Sequence, residues 1–162
     1  KLLSRRIYLR QYDGAGRREH TPMVKHAIQL AFDAHRGQYD KGGLPYITHP
    51  LHVAEQMKTE DECVVALLHD VMEDTGLTET DLQQQGITDR QIAALKLLCH
   101  DESVPYLEYV QKIRIDPIAS AVKIEDLKHN SDLSRLNGET PEDVKRVEKY
   151  KEALRILQAI EI

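Results

Sequence analysis

The stretch Ala66-Leu67-Leu68-His69-Asp70-Val71-Met72-Glu73-Asp74-Thr75-Gly76 constrains the fold more than any other part of the chain. An apolar run leads into an adjacent His-Asp pair, and two more carboxylates follow within about one helical turn. On a helix, His69 and Glu73 are i,i+4 neighbours, and so are Asp70 and Asp74. The apolar side anchors in a core, and the polar groups face a shared cavity at a helix end that Gly76 can close. Burying such groups without partners is unfavourable, and a metal ion satisfies several of them together. The pattern predicts one helix from about residue 61 to 74.

A length of 162 residues predicts a single domain with room for a core, here 21–162 after a leading segment 1–20. The net charge of −5 argues against broad nucleic-acid binding and leaves no basic tail for a membrane surface. No apolar run is long enough to span a membrane, and no segment reads as a signal peptide. Cys63 and Cys99 both sit in apolar helical patterns, so they read as core thiols suited to a reducing cytoplasm. Trp is absent, Phe occurs once, and no run alternates strictly, so the chain is predicted to be all-α with an aliphatic core. Oligomeric state is not legible.

Arg5, Arg6, Arg10, Arg17 and Arg18, broken by Gly14 and Gly16, predict a solvated basic arm or short leading helix. Thr21-Pro22 opens a helix with the stripe Val24, Ala27, Ile28 and Ala31, which Gly37 ends. A glycine-bearing loop follows. Pro50 is predicted to open the next helix, with His49 extended just outside it. Thr78 with Asp81, Thr88 with Gln91, Asp116-Pro117 and Thr140-Pro141 with Asp143 mark further helix starts. Asn137-Gly138 reads as a turn.

Three separated places offer metal ligands: His49, the pair His69-Asp70, and Asp126. A His before Pro is often part of a turn, and a helical Asp usually faces water. Together they point to a metal site. The chain resembles the HD-domain metal-dependent phosphohydrolases, and more closely the hydrolase domain of the guanosine tetraphosphate synthetase/hydrolase family. The matching runs are Ala34-His35-Arg36-Gly37-Gln38, Pro45-Tyr46-Ile47-Thr48-His49-Pro50, Ala66 through Thr75, and Val122-Lys123-Ile124-Glu125-Asp126-Leu127-Lys128-His129-Asn130. The resemblance spans about residues 22–157. The synthetase half of that family is a separate domain, for which these residues leave no room.

The resemblance implies an HD-domain helical bundle with one ion held by His49, His69, Asp70 and Asp126. In that family the ion is typically Mn²⁺, and a mixed imidazole–carboxylate set suits it, with Fe²⁺ and Zn²⁺ as alternatives. Such an ion activates water and polarises a phosphoryl oxygen. Glu73 and Asp74 match the family pair that orients the water and handles protons. The implied reaction removes the 3′-pyrophosphate of guanosine tetra- or pentaphosphate, a small-molecule nucleotide.

On the substrate side, Asn130 resembles a nucleotide-binding asparagine or orients Asp126. Tyr150 stacks on the nucleotide or belongs to the core. Lys41 is a candidate phosphate contact. Arg36 contacts phosphate or is structural, and Lys123 pairs with a carboxylate or reaches a phosphate. His35 and His52 read as packing or supporting residues. The loop Tyr39-Asp40-Lys41 carries one basic residue where alarmone hydrolases usually carry adjacent ones, and His100-Asp101-Glu102-Ser103 is acidic. These departures spare the metal but bear on the substrate. Two alternatives stay open: action on another nucleotide or cofactor phosphate, and a catalytically silent nucleotide-binding sensor.

Overall fold

A computed structural model describes residues 11–12, 18–136 and 138–159. Two short strands, β1 (Gln11–Tyr12) and β2 (Arg18–Glu19), pair antiparallel with Gln11 opposite Glu19. The rest of the expected arm or leading helix lies outside the described residues. Among the described residues after β2, the regular elements are helices, apart from a single bridge between Tyr39 and Pro45.

Helix α1 (Pro22–Ala34) begins as its sequence requires: the Thr21 hydroxyl accepts the Val24 N–H, and Pro22 needs no N–H in the first turn. Val24, Ala27 and Ala31 are fully buried along one stripe. Gly37, at φ +77°, turns the chain away. The following loop folds on itself through the Asp40 N–H to Leu44 carbonyl bond. A Cβ on Gly42 would lie 2.5 Å from the Arg135 carbonyl, so only glycine lets the loop lie so close to that segment.

Helix α2 (Thr48–Glu55) starts two residues before Pro50, so His49 is inside its first turn and not extended outside it. The restriction that proline puts on its predecessor is overridden by local bonds. The His49 N–H donates to the Tyr46 carbonyl, and the Thr48 hydroxyl donates to the Pro45 carbonyl. Pro50 is tolerated because first-turn N–H groups have no intrahelical partner.

Helix α3 (Glu60–Leu68) is opened by a Thr59–Glu62 capping box, and α4 (Val71–Asp74) follows. The continuous helix predicted from about 61 to 74 is therefore divided, with His69 and Asp70 at the joint. The His69 ring occupies the Ala66 carbonyl that a continuing helix would offer to the Asp70 N–H. Cys63 to Leu68 are all buried, so α3 is apolar all round, and it packs against α1 and α2.

Helices α5 (Glu79–Gln84), α6 (Asp89–Leu98), α7 (Tyr106–Arg114), α8 (Pro117–Asn130) and α9 (Pro141–Gln158) complete the bundle, with a 3₁₀ turn at Leu133–Arg135. Capping boxes at Thr78, Thr88 and Thr140 and the Asp116 cap lie where the sequence predicts them. Asn137 of the expected turn lies outside the described residues, and Gly138 adopts φ +116°. Helix α3 also packs on α6 and α8, and α8 on α2, α7 and α9. Cys63 is buried and Cys99 half-buried, both as free thiols. No described helix is long and apolar enough to cross a membrane.

Candidate metal centre and cleft

The first turn of α2, the α3–α4 joint and the C-terminal half of α8 meet in the interior. His49 Nε2 lies 3.3 Å from His69 Nε2, 3.0 Å from Asp126 Oδ1 and 3.9 Å from Asp70 Oδ2. His69 Nε2 lies 3.0 Å from Asp70 Oδ2 and 3.5 Å from Asp126 Oδ1. Donors about 2.1 Å from a shared ion, separated by about 90–109°, lie about 3.0–3.4 Å apart. The spacings here are of that size, and His49, His69 and Asp70 could hold a divalent ion together.

The bonds behind these donors aim them. His69 Nδ1–H donates to the Ala66 carbonyl at 2.6 Å. A carbonyl only accepts, so the ring proton that His69 must give up to bind a cation is the one on Nε2, and the lone pair then faces the cluster. Asp126 Oδ2 accepts from Lys123 Nζ at 2.9 Å, and Oδ1 from Asn130 Nδ2 at 2.8 Å. Tyr46 donates its hydroxyl to Asp70 Oδ2. His49 Nδ1 meets His129 Nδ1 at 2.6 Å.

Concentrated charge perturbs these groups in consistent directions. Burial opposes protonation of His69, but Asp70 and Asp126 beside it hold its pKa well above the ordinary imidazole value. Burial raises the Asp126 carboxyl, yet Lys123 and the two imidazoles outweigh it and hold that carboxyl well below the usual range. Burial also works against ionised Asp70, and His69 overcomes it, bringing its carboxyl to about 2. Burial and the neighbouring Asp70 push the Tyr46 hydroxyl up, so it stays a donor. Burial, then Arg135 and His49, bring His129 down to about 4.

Glu73 and Asp74 sit one turn beyond the cluster. Glu73 Oε1 accepts the His100 N–H at 3.0 Å, which ties it to the α6–α7 connection. Partial burial, Asp70 and Glu73 raise the pKa of Asp74. A relay from α1 reaches the same place. His35 Nδ1 bonds Gln38 Oε1 at 2.8 Å, and Gln38 Nε2 donates to the Asp74 carbonyl at 3.2 Å.

Tyr46 and Asn130 also face a cleft of about 330 Å³, with Lys41, Arg135, Arg146 and Tyr150 among its lining residues. Its cations are paired: Lys41 with Asp143 at 3.3 Å, Arg146 with Asp143 at 2.8 Å, and Arg135 with Asp40 at 3.2 Å. Backbone and hydroxyl donation from Thr140 and the nearby Lys41 hold the Asp143 carboxyl at about 2.

Of the substrate-side candidates, Lys41, Asn130 and Tyr150 line this cleft. Arg36 and Lys123 do not. Arg36, in the turn after α1, pairs with Asp33 of that helix at 2.9 Å, and half-buried Lys123 is committed to Asp126. Sequence reasoning passed over Tyr46, His129, Gln38, Arg135 and Arg146. Tyr46 and Gln38 lay inside quoted motifs, and His129 is i+3 from Asp126, but only tertiary contacts reveal what they touch.

No family model matches the chain. A Danio rerio protein named guanosine-3′,5′-bis(diphosphate) 3′-pyrophosphohydrolase MESH1 is 32% identical over 155 residues, covering 80% of this chain and 79% of that protein. A Haemophilus influenzae guanosine-3′,5′-bis(diphosphate) 3′-pyrophosphohydrolase is 50% identical over 60 residues, but these are only 9% of that longer protein. A solved structure of a metazoan ortholog of SpoT, described as hydrolysing ppGpp, aligns at TM-score 0.68 with 22% identity over 85% of this chain and 86% of that one. The helical bundle is thus the HD-type hydrolase fold. Within it, the chain belongs to the guanosine-3′,5′-bis(diphosphate) 3′-pyrophosphohydrolase family that includes MESH1.

Proposed function

We propose that this chain is a metal-dependent hydrolase that removes the 3′-pyrophosphate of guanosine tetra- or pentaphosphate, with Mn²⁺ as the ion. The observation that carries the reading is the convergence of His49, His69 and Asp70 donor atoms 3.0–3.9 Å apart, with Asp126 Oδ1 3.0 and 3.5 Å from the two imidazole Nε2 atoms. These four side chains would hold the ion, and mixed imidazole and carboxylate donors fit Mn²⁺. When bound, the ion supplies Lewis acidity to water and to a phosphoryl oxygen.

The chain's own residues do the rest. Glu73 and Asp74 orient the attacking water and accept its proton. The raised pKa of Asp74 makes it a stronger base than a free carboxylate. Lys41 contacts phosphate by exchanging Asp143 for it, a charge-assisted bond for a charge-assisted bond. Asn130 and Tyr150 meet the nucleotide in the cleft. Free Cys63 and Cys99 suit a reducing compartment such as the cytoplasm.

One observation favours a second reading: every cleft cation named above already has a carboxylate partner, which suits a substrate with fewer phosphates than the alarmone. Incubation of the protein with guanosine tetraphosphate, with and without Mn²⁺, separates the two. Mn²⁺-dependent release of pyrophosphate supports the first. Release of inorganic phosphate from a simpler nucleotide or cofactor phosphate, with the alarmone untouched, supports the second. Nucleotide binding without any turnover would reveal a sensor and overturn both.

A further inference from the structure

The two histidines of the cluster are aimed by different partners. His69 has a backbone carbonyl behind it, which can only accept. His49 has the ring of His129, which can accept or donate at the same atom. If His129 Nδ1 carried the shared hydrogen, neutral His49 would be protonated at Nε2. That N–H would point at Asp126 Oδ1, 3.0 Å away, and close the cluster to a cation. If His49 Nδ1 carries it, the Nε2 lone pair faces the other donors, and His129 is the Nε2–H tautomer. Both arrangements leave each ring neutral with one ring hydrogen, so no net proton is gained or lost between them.

The His129 ring is held for this task. It lies nearly coplanar with His49, with centroids 4.9 Å apart and planes 14° apart, as an in-plane Nδ1 bond requires, and it stacks face to face on His52 at 4.0 Å and 18°. Its carbonyl accepts from Arg135 Nη1 at 2.9 Å. We infer that His129 is a positioning residue: it accepts the Nδ1–H of His49 and so turns the His49 Nε2 lone pair onto the ion. The inference rests on the metal-site reading above. It gives His52 a role as well, as the ring on which His129 is stacked and held in the His49 plane.

The test is Mn²⁺ uptake by the purified protein, followed through the electron paramagnetic resonance of free Mn²⁺, in the unmodified chain, His129→Phe and His129→Gln. Phenylalanine keeps a flat ring without an acceptor, and glutamine restores an acceptor oxygen. His129→Phe should weaken Mn²⁺ binding about 10–100-fold, the usual loss when a ligand's outer partner is removed. His129→Gln should recover most of it. Nitrogen-15 spectra of the unmodified protein loaded with diamagnetic Zn²⁺ should place the His49 hydrogen on Nδ1, and this readout stands even if His129→Phe does not fold. Affinity of His129→Phe within twofold of the unmodified protein, or a His129 hydrogen on Nδ1 under Zn²⁺, overturns the inference alone. An unmodified chain that takes up neither ion would take the metal reading down with it.

Discussion

The donor cluster and the cleft beside it are built on opposite plans. His49, His69 and Asp126 are each at most 5% exposed, and the bonds behind them come from fixed parts of the bundle: Ala66, Lys123, Asn130 and His129. In the cleft, Lys41 is two-thirds exposed and pairs with Asp143, Arg135 pairs with Asp40, and Arg146 pairs with Asp143 three residues before it on α9. Buried donors left without partners are strongly destabilising, so the cluster tolerates little change. An exposed cation such as Lys41 gains about 0–1 kcal/mol from its pair and exchanges it readily for another anion. Under the proposed function, the contrast assigns the chemistry to the rigid region and the tuning of what is bound to the adjustable one.

The sharpest break of this contrast is Asp70→Ala. It should abolish both Mn²⁺ uptake and hydrolysis, measured by metal titration and product release; persistent metal binding would remove Asp70 from the ligand set. Next in size, Glu73→Ala should retain the metal and slow turnover by about 10²-fold or more, the scale of a lost acid–base group. Equal activity would take Glu73 out of the mechanism. On the cleft side, Lys41→Ala should raise KM about tenfold, roughly one charge-assisted phosphate bond, with Mn²⁺ affinity unchanged. A loss confined to kcat would contradict its assignment to binding.

Asp143 sharpens the comparison through pH. Its folded-state carboxyl lies at about 2, below the ordinary 3.8, so it adds stability that is fully present above about pH 4 and lost as pH falls towards 2. Asp143→Asn should therefore lower the thermal midpoint at pH 6, and the difference from the unmodified chain should shrink on acidification between pH 4 and 2. A pH-independent difference would point to packing instead. The smallest effect belongs to Arg36→Ala: its exposed pair with Asp33 predicts unchanged kinetics and a stability change within about 0.5 kcal/mol.

Local rules made much of the fold legible. The capping boxes at Thr78, Thr88 and Thr140 and the prolines that follow Thr21, Asp116 and Thr140 are short-range chemistry, and the helices begin there. The errors came where long-range contacts compete with local preference. His49 enters α2 although Pro50 disfavours it, because the preceding turn and its burial in the cluster outweigh that preference. The helix through Asp74 breaks where a side chain, His69, takes a backbone acceptor.

The site divides in the same way. Residue type and spacing were enough to nominate His49, His69, Asp70 and Asp126, since few other patterns put such groups beside apolar runs. Periodicity along one helix says which residues share a face, and nothing about which atoms on other helices they meet. That Lys123 neutralises Asp126 while Lys41 faces the cleft, and that one imidazole steers another across α2 and α8, was decided only when the bundle closed. Closure removes water from these groups, and each must then take the hydrogen-bond partner that packing has brought within reach.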